Sequence, residues 1–398
     1  MKEITRIAIN NPASGQGILY SRGARAVMKS IFIVLICSFM IMSCAQDSIF
    51  YNLSMEPEPI EPRIPGSPTN LAFASNRIYV GTRMSTKIYF FTGSGWGSMG
   101  TPGGNLGDLA GNETDLYALI YPSGNPLKYS AIRRHDGTGW TPEIYSAPGF
   151  SIQTIYCAGD KLFAGAMINY LNCAILCFDS TGNMEVIAIG TSLLKGAAEC
   201  AGVYYLATLD HGVYTYSGTS GELAVPIAGT SGNITGIIAT GAPTPSTIVA
   251  VSSGGDIFTL NSGETAFNLL ASPGVAFTGA ICAWNSYDGI DEVPALLLLG
   301  MRGPGTSLSH GYRELVLNPD GTPSGYIKKP GEESLPTSAK SKSAKYDASI
   351  GIHPVESIFQ TPLSMIPSAA SEFDLPVFAS TSRNGVWSCR RGEWNAEP

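Results

Sequence analysis

Residues 77–96 read RIYVGTRMSTKIYFFTGSGW, and this stretch contains the pattern that decides the fold. A short apolar strand at 77–81 is followed by a turn, and then by a second strand at 87–91 that carries three aromatic residues. A glycine-containing turn follows and ends at Trp96. Branched and aromatic residues favour strands, whereas glycine favours tight turns. The stretch therefore predicts a β-hairpin.

The same pattern recurs along the chain, so that seven copies can be aligned on their first strands. The aligned positions are Tyr79, Tyr117, Phe163, Tyr205, Ala250, Leu298 and Phe378. They are separated by 38, 46, 42, 45, 48 and 80 residues. A period of about 40–50 residues with several short strands per unit is typical of a β-propeller. Apolar segments ahead of some copies, at 71–73, 152–156 and 234–238, predict an innermost strand that lines the central channel.

We therefore expect an all-β, seven-bladed β-propeller over residues 70–398. A pair of β-sandwiches is the alternative, but sandwiches rarely keep one motif through seven copies. Copies such as Gly212-Val213-Tyr214-Thr215-Tyr216 resemble the propeller repeats broadly related to the NHL and two-component-regulator types. The Trp-Asp, kelch and Tyr-Trp-Thr-Asp signatures are missing from the repeats. The resemblance implies a propeller and leaves its ligand open.

The long sixth interval indicates an insertion at about residues 318–349. This segment has no apolar run and contains five basic residues: Lys328, Lys329, Lys340, Lys342 and Lys345. We expect a surface loop that tolerates length. The alternative is a basic loop that contacts an acidic partner.

The N-terminal region predicts export. An apolar run of twelve residues at 31–42 follows Lys29, as in a signal peptide, and is too short to span a bilayer. The tetrad Ile41-Met42-Ser43-Cys44 resembles a bacterial lipobox, which implies cleavage after residue 43 and acylation of Cys44, with palmitate among the acyl chains. An ordinary secretory signal is the alternative. Met28 reads as the natural start of this signal, so we expect residues 1–27 to be an upstream extension.

The segment at 44–69 reads as a lipidated cysteine followed by a proline-rich tether, with four prolines between residues 55 and 66. Ala45 and Gln46 follow the cysteine, and the absence of aspartate there favours the outer membrane over the inner membrane. Without residues 1–43 the net charge is -11. We expect no nucleic-acid partner, because nucleic acid attracts basic proteins. We expect the protein to attach to a membrane through the lipid anchor on Cys44.

Cysteines offer the first candidates for chemistry. Cys157, Cys200 and Cys282 are predicted at equivalent places in their repeats, and Cys177 and Cys389 at equivalent places on third strands. Equivalent positions in different blades are too far apart for a disulfide. Cys157 and Cys200 belong to adjacent blades, and their pairing remains open at this point.

No other pattern predicts a catalytic, cofactor or metal site. The four histidines are scattered, and neither a nucleophile elbow nor a phosphate-binding loop is present. Glu113, Asp160 and Glu199 are the acids that would meet at a channel mouth if calcium were bound there. We therefore expect a non-enzymatic binding or scaffold module of the cell envelope, for a protein or a small ligand. The alternative is a periplasmic hydrolase, similar to a lactonase or esterase, with a metal in the channel.

Overall fold

The computed structural model describes residue 64 and residues 67–397, apart from gaps at 123–129, 146, 169–171, 231, 243, 288–291, 303–310, 329–353, 370–374, 383–384 and 391–392. Residues Ile60–Pro398 group into one compact unit. The predicted signal peptide at 1–43, the candidate lipidation site Cys44 and most of the predicted tether lie outside the described residues.

The described residues form 28 strands in seven antiparallel sheets of four, which we number as blades 1–7. Blade 1 contains β1 (Ala72–Ala74), β2 (Arg77–Gly81), β3 (Lys87–Phe91) and β4 (Trp96–Gly100). Blade 2 contains β5 (Asn105–Asn112), β6 (Asp115–Tyr121), β7 (Ala131–His135) and β8 (Trp140–Tyr145). Blade 3 contains β9 (Ser151–Ala158), β10 (Lys161–Ile168), β11 (Asn172–Phe178) and β12 (Met184–Thr191). Blade 4 contains β13 (Leu194–Cys200), β14 (Val203–Thr208), β15 (Gly212–Tyr216) and β16 (Val225–Ile227).

Blade 5 contains β17 (Ile234–Thr240), β18 (Thr247–Ser252), β19 (Ile257–Asn261) and β20 (Asn268–Ala271). Blade 6 contains β21 (Phe277–Tyr287), β22 (Glu292–Met301), β23 (Tyr312–Leu317) and β24 (Pro323–Lys328). Blade 7 contains β25 (Val355–Gln360), β26 (Val377–Thr381), β27 (Val386–Arg390) and β28 (Glu393–Ala396), with a 3-10 turn at Leu363–Met365 after β25. The predicted seven-bladed propeller is confirmed, and so is the innermost position of the segments at 71–73, 152–156 and 234–238.

Apolar side chains stabilise the junctions between neighbouring blades. Seven hydrophobic clusters occur in the described part, one at each of the seven junctions. Between blades 3 and 4, for example, the ring of Phe163 packs against Tyr204 and Tyr216, with centroids 5.3 and 6.3 Å apart. Successive residues of a strand face opposite sides of the sheet, so each blade contributes to two junctions. No single blade could bury both faces alone.

Side chains also close the ring between blades 1 and 7. Phe378 contacts Phe91 and Trp96, with centroids 5.0 and 5.4 Å apart. Nearer the axis, the ring of Phe73 stacks on that of Phe359 at 5.8 Å. Each blade uses four consecutive strands, so this closure rests on packing and side-chain hydrogen bonds rather than on a strand exchanged between the ends.

Two predicted boundaries need correction. Ile64 was expected in the tether, but it is 2% exposed and packs in the cluster that joins blades 1 and 7. The insertion was expected from residue 318, but Pro323–Lys328 forms β24, the outer strand of blade 6. Both segments lack a strong apolar pattern, because Ile64 stands alone among prolines and β24 is an edge strand. Ile64 is ordered by residues of blade 7 that are distant in sequence, whereas β24 is ordered by pairing with the preceding strand β23.

Candidate functional site

A cavity of about 1090 Å³ lies along the propeller axis. It is lined by the inner strands of all seven blades, namely β1, β5, β9, β13, β17, β21 and β25. Ligand sites in proteins are usually concave and few in number, so this cavity is the candidate functional site. Its two ends and its middle differ in chemistry.

A repeated β-bulge shapes one end of the cavity. The pairing of inner and second strands skips one residue at Gln153 in blade 3, at Lys195 in blade 4, at Thr235 in blade 5 and at Glu356 in blade 7. Blade 2 skips Gly107 in the same way. A bulge leaves one residue unpaired and redirects the neighbouring side chains. Here it brings polar residues to the lining of the cavity.

We call the polar residues at this end the polar ring. Its members come from all seven blades: Asn70, Asp108, Gln153, Lys195, Thr235, Thr278 and Glu356. Blade 6 contributes through a wider irregularity, in which residues 278–280 lie between the paired residues Phe277 and Ile281. A polar ring around an otherwise apolar channel provides hydrogen-bonding groups at one defined depth.

Asp108 ties two blades together within the polar ring. Its side chain is 1% exposed and accepts hydrogen bonds from the backbone N–H and the Nδ2 of Asn70, at 3.1 and 3.0 Å. Its Oδ1 also accepts the backbone N–H of Leu109 at 2.9 Å. Burial raises the pKa of Asp108, and the nearby charge of Arg83 opposes this rise. Asp108 is therefore a bonded structural member of the ring.

Two cationic side chains on the cavity lining, those of Arg83 and Lys195, have no ion-pair partner among the described residues. Within the described residues, salt bridges join Arg134 to Asp115 and Lys328 to Glu314, and neither Arg83 nor Lys195 is in an ion pair. Burial lowers the pKa of Lys195, and the positive charges of Arg83 and Arg302 lower it further, whereas the nearby carboxylates of Glu356 and Asp108 oppose this shift. Unpaired cations close to one another favour an incoming anionic group.

The middle of the cavity is apolar, and its far end carries acids. Partly exposed apolar residues of the inner strands, among them Ala197, Ile281 and Phe359, line the cavity between its ends. Glu113 and Asp160 line the far end, as expected for acids near a channel mouth.

Hydrogen bonds at turns account for the positions of two of the predicted acids, Asp160 and Glu199. Asp160 accepts a hydrogen bond from the Tyr204 hydroxyl at 2.6 Å. Glu199 is not on the lining, and its Oε1 accepts the backbone N–H of Gly202 at 2.6 Å. In the part of the chain that the structure describes, no three His, Cys, Asp or Glu residues are grouped to hold a metal ion. The three acids therefore do not converge on one point.

The cysteines are separated by the blades. Cys157 packs between blades 2 and 3, whereas Cys200 packs between blades 4 and 5, and both are free thiols. Their predicted equivalence is wrong, because Cys200 is the last paired residue before its hairpin turn and Cys157 is the residue before the last. An offset of one residue places two side chains on opposite faces. Cys177 and Cys389 likewise face opposite directions, towards blade 4 and towards blade 6.

The polar ring was not predicted from the sequence, although a sequence pattern marks several of its members. In several inner strands the ring residue precedes a small residue, as in Lys195-Gly196, Thr235-Gly236 and Thr278-Gly279. The small residues are required because neighbouring inner strands approach closely. A Cβ at Gly236, for example, would lie 2.2 Å from the carbonyl oxygen of Gly279.

Comparison with known proteins supports the fold and leaves the family open. No family model matches the chain, and no curated protein matches it. Among solved structures, "YCF48 bound to D1 peptide" matches with a TM-score of 0.52 and 13% sequence identity. The match covers 84% of this chain and 96% of that one. At this identity the likeness shows a shared propeller fold alone.

Among the residues that the structure describes, no helix has the length and apolar character needed to cross a bilayer.

Proposed function

We propose that this chain is a lipid-anchored protein of the bacterial cell envelope whose propeller is a non-enzymatic binding module. The observation that carries the proposal is a pair of cations on the cavity lining, Lys195 of the polar ring and Arg83, neither of which has an ion-pair partner among the described residues. The ligand is a protein segment or a small molecule that brings an anionic group to these cations. The solved propeller of the same fold is bound to a D1 peptide, which supports a protein segment as one kind of ligand.

The geometry of the cavity supports recognition. The lining combines cations and hydrogen-bonding groups with apolar residues of the inner strands. An apolar pocket with a few placed polar groups is the usual composition of a ligand site. The polar groups orient the ligand, whereas the wall removes apolar surface from water.

Site-specific photo-crosslinking in the bacterial envelope tests the binding role. A photoreactive amino acid replaces Gln153 in the polar ring, and in a matched strain it replaces Thr138, which is exposed on the β7–β8 turn. We expect a defined adduct at position 153 and none at position 138. The adduct at 153 should weaken when Lys195→Met removes one cation. Equal adducts at both positions, or none at 153, would contradict a site in the cavity.

The membrane anchor is supported by the lipobox-like tetrad that ends at Cys44 and by the proline-rich segment that follows it. Ala45 and Gln46 follow the cysteine, and the absence of aspartate at these positions favours attachment to the outer membrane. Detergent phase partitioning tests the anchor with the Cys44→Ala variant and a Cys37→Ala control. The Cys44→Ala protein should move to the aqueous phase, and the control should stay in the detergent phase. Unchanged partitioning of Cys44→Ala would exclude lipidation at this residue.

A further inference from the structure

Exposed apolar side chains are concentrated on the outer strands of three consecutive blades. Ile189 on β12 and Leu223 before β16 are each 69% exposed, Val225 on β16 is 60% exposed, and Leu269 on β20 is 59% exposed. We call these four residues the apolar rim. Large apolar side chains are rarely this exposed without a binding role when they are grouped.

Backbone hydrogen bonds join the outer strands that carry the rim. The N–H of Ala224, between Leu223 and Val225, donates to the carbonyl of Ile187 in blade 3 at 2.8 Å. On the other side, the N–H of Phe267 donates to the carbonyl of Ala228 at 2.9 Å and so joins blade 4 to blade 5. The rim residues therefore lie on outer strands that are bonded to one another across two blade junctions.

The charge of this part of the molecule is strongly negative. Between Lys161 and Arg302 the sequence has ten Asp and Glu residues and a single Lys, and that lysine lies inside the channel. Some of these acids lie beside the rim. Glu185 accepts hydrogen bonds from Ser220 and from the N–H of Gly221, two residues before Leu223. Glu264 accepts from Nδ2 of Asn268, which precedes Leu269.

We propose that the apolar rim is a docking surface for a basic, amphipathic segment of a partner protein. Apolar residues of that segment cover the rim, while its Lys and Arg residues meet the surrounding carboxylates. A second copy of this chain brings the same negative charge and is repelled, as is an anionic lipid surface. The rim lies outside the channel, so the inference does not depend on the function proposed for the cavity.

A peptide-binding experiment on residues 60–398, which hold all seven blades, tests this proposal. The probe is a fluorescent peptide of alternating Leu and Lys, and its anisotropy is titrated with the protein. We expect saturable binding that weakens about tenfold when Leu223 and Leu269 are both replaced by Ser, because central apolar contacts dominate such interfaces. Raising the NaCl concentration to about 0.5 M should also weaken binding, because salt screens exposed charges.

Two controls separate the rim from general charge attraction. Met84→Ser removes another exposed apolar side chain, 46% exposed in blade 1, and should leave binding unchanged. A peptide with Glu in place of Lys should not bind. Equal binding by the Leu223→Ser/Leu269→Ser protein, or by the Glu peptide, would overturn the proposal. So would a wild-type dimer in sedimentation velocity that the two Ser substitutions dissociate, since the rim would then take a second copy.

Discussion

The indole N–H of Trp96 donates a hydrogen bond to Oε2 of Glu397 at 2.7 Å, although the two residues are 301 positions apart. Trp96 begins the outer strand of blade 1, and Glu397 directly follows the outer strand of blade 7. The bond therefore closes the ring at its outer edge, while Phe73 and Phe359 close it near the axis.

Removing this bond should loosen the ring. Trp96→Phe keeps an aromatic ring against Phe91 and Phe378 but removes one hydrogen bond from the buried carboxylate of Glu397. Hydrogen bonds to charged groups contribute about 1.5–3 kcal/mol, so we expect a loss of stability of that size in urea unfolding. Glu397→Gln keeps an acceptor and should cost less. Unchanged stability of Trp96→Phe would show that packing, rather than the hydrogen bond, closes the seam.

The ion pair between Lys328 and Glu314 should be sensitive to removal of one partner. Nζ and Oε2 are 3.0 Å apart, and the two side chains are 0% and 1% exposed. Lys328→Met leaves a buried carboxylate unpaired, which costs about 3–5 kcal/mol. The double variant Lys328→Met/Glu314→Leu should recover most of this loss in chemical denaturation. No recovery would mean that the pair acts through contacts other than the charge.

Glu314 should also make stability depend on pH. Burial raises the pKa of Glu314 to about 7, and the charge of Lys328 opposes this rise. The folded state then binds the proton more tightly than the unfolded state. The contribution of Glu314 to the free energy of unfolding is therefore largest below the pKa of Glu314 in the unfolded state. About 3 kcal/mol of it is lost as the pH rises through 7. Glu314→Gln should remove this decline. Stability is measured by thermal unfolding of the wild type and of Glu314→Gln between pH 5 and 8. Parallel curves for these two proteins would contradict the pH dependence.

Close approach of inner strands should make Gly236 intolerant of a side chain. A Cβ there would meet the Gly279 carbonyl oxygen at 2.2 Å and the Gly279 Cα at 2.8 Å, and backbone atoms cannot move aside easily. We expect Gly236→Ala to destabilise the propeller by about 1–3 kcal/mol or more, as overpacking does. Gly139→Ala is the control, because a Cβ at that glycine meets no atom within 4 Å. A similar melting temperature for both variants would disprove the close approach.

The six cysteines of the described residues should titrate as thiols. No disulfide joins any two of them, and burial raises the pKa of Cys177 and Cys282 to about 12 and raises that of Cys157 as well. A raised pKa and burial both slow reaction with thiol reagents. For residues 60–398 we expect little reaction in the folded state, slow reaction at the partly exposed Cys173, and six thiols after unfolding without a reductant. Four thiols would indicate a disulfide.

The sequence predicted the repeat better than it predicted the positions of single side chains. Residues 77–96 indicated a hairpin, and β2 and β3 with the turn to Trp96 form as expected. The predicted equivalence of Cys157 and Cys200 failed by one residue, which was enough to turn the side chains to opposite faces. Local pattern predicts that a strand exists, but pairing sets which residue faces which neighbour.

The side chains of the candidate site were the feature that the sequence predicted least well. No sequence pattern singled out Lys195 or Glu356, and Lys328 was expected to be one cation of a basic loop. The structure brings the first two into one ring of bulged strands and buries the third in an ion pair. These positions depend on contacts between residues far apart in the chain.

The sequence by itself determined the architecture, since a period of about 40–50 residues with alternating apolar positions can bury its surface only by packing blade against blade. It also determined the negative charge of the middle blades. Only the tertiary structure decided how the ring closes, with Trp96 against Glu397, and which side chains line the axis. The physical reason is that ring closure and the lining of the axis bring together residues of different blades, whereas each repeat encodes only the strands of its own blade.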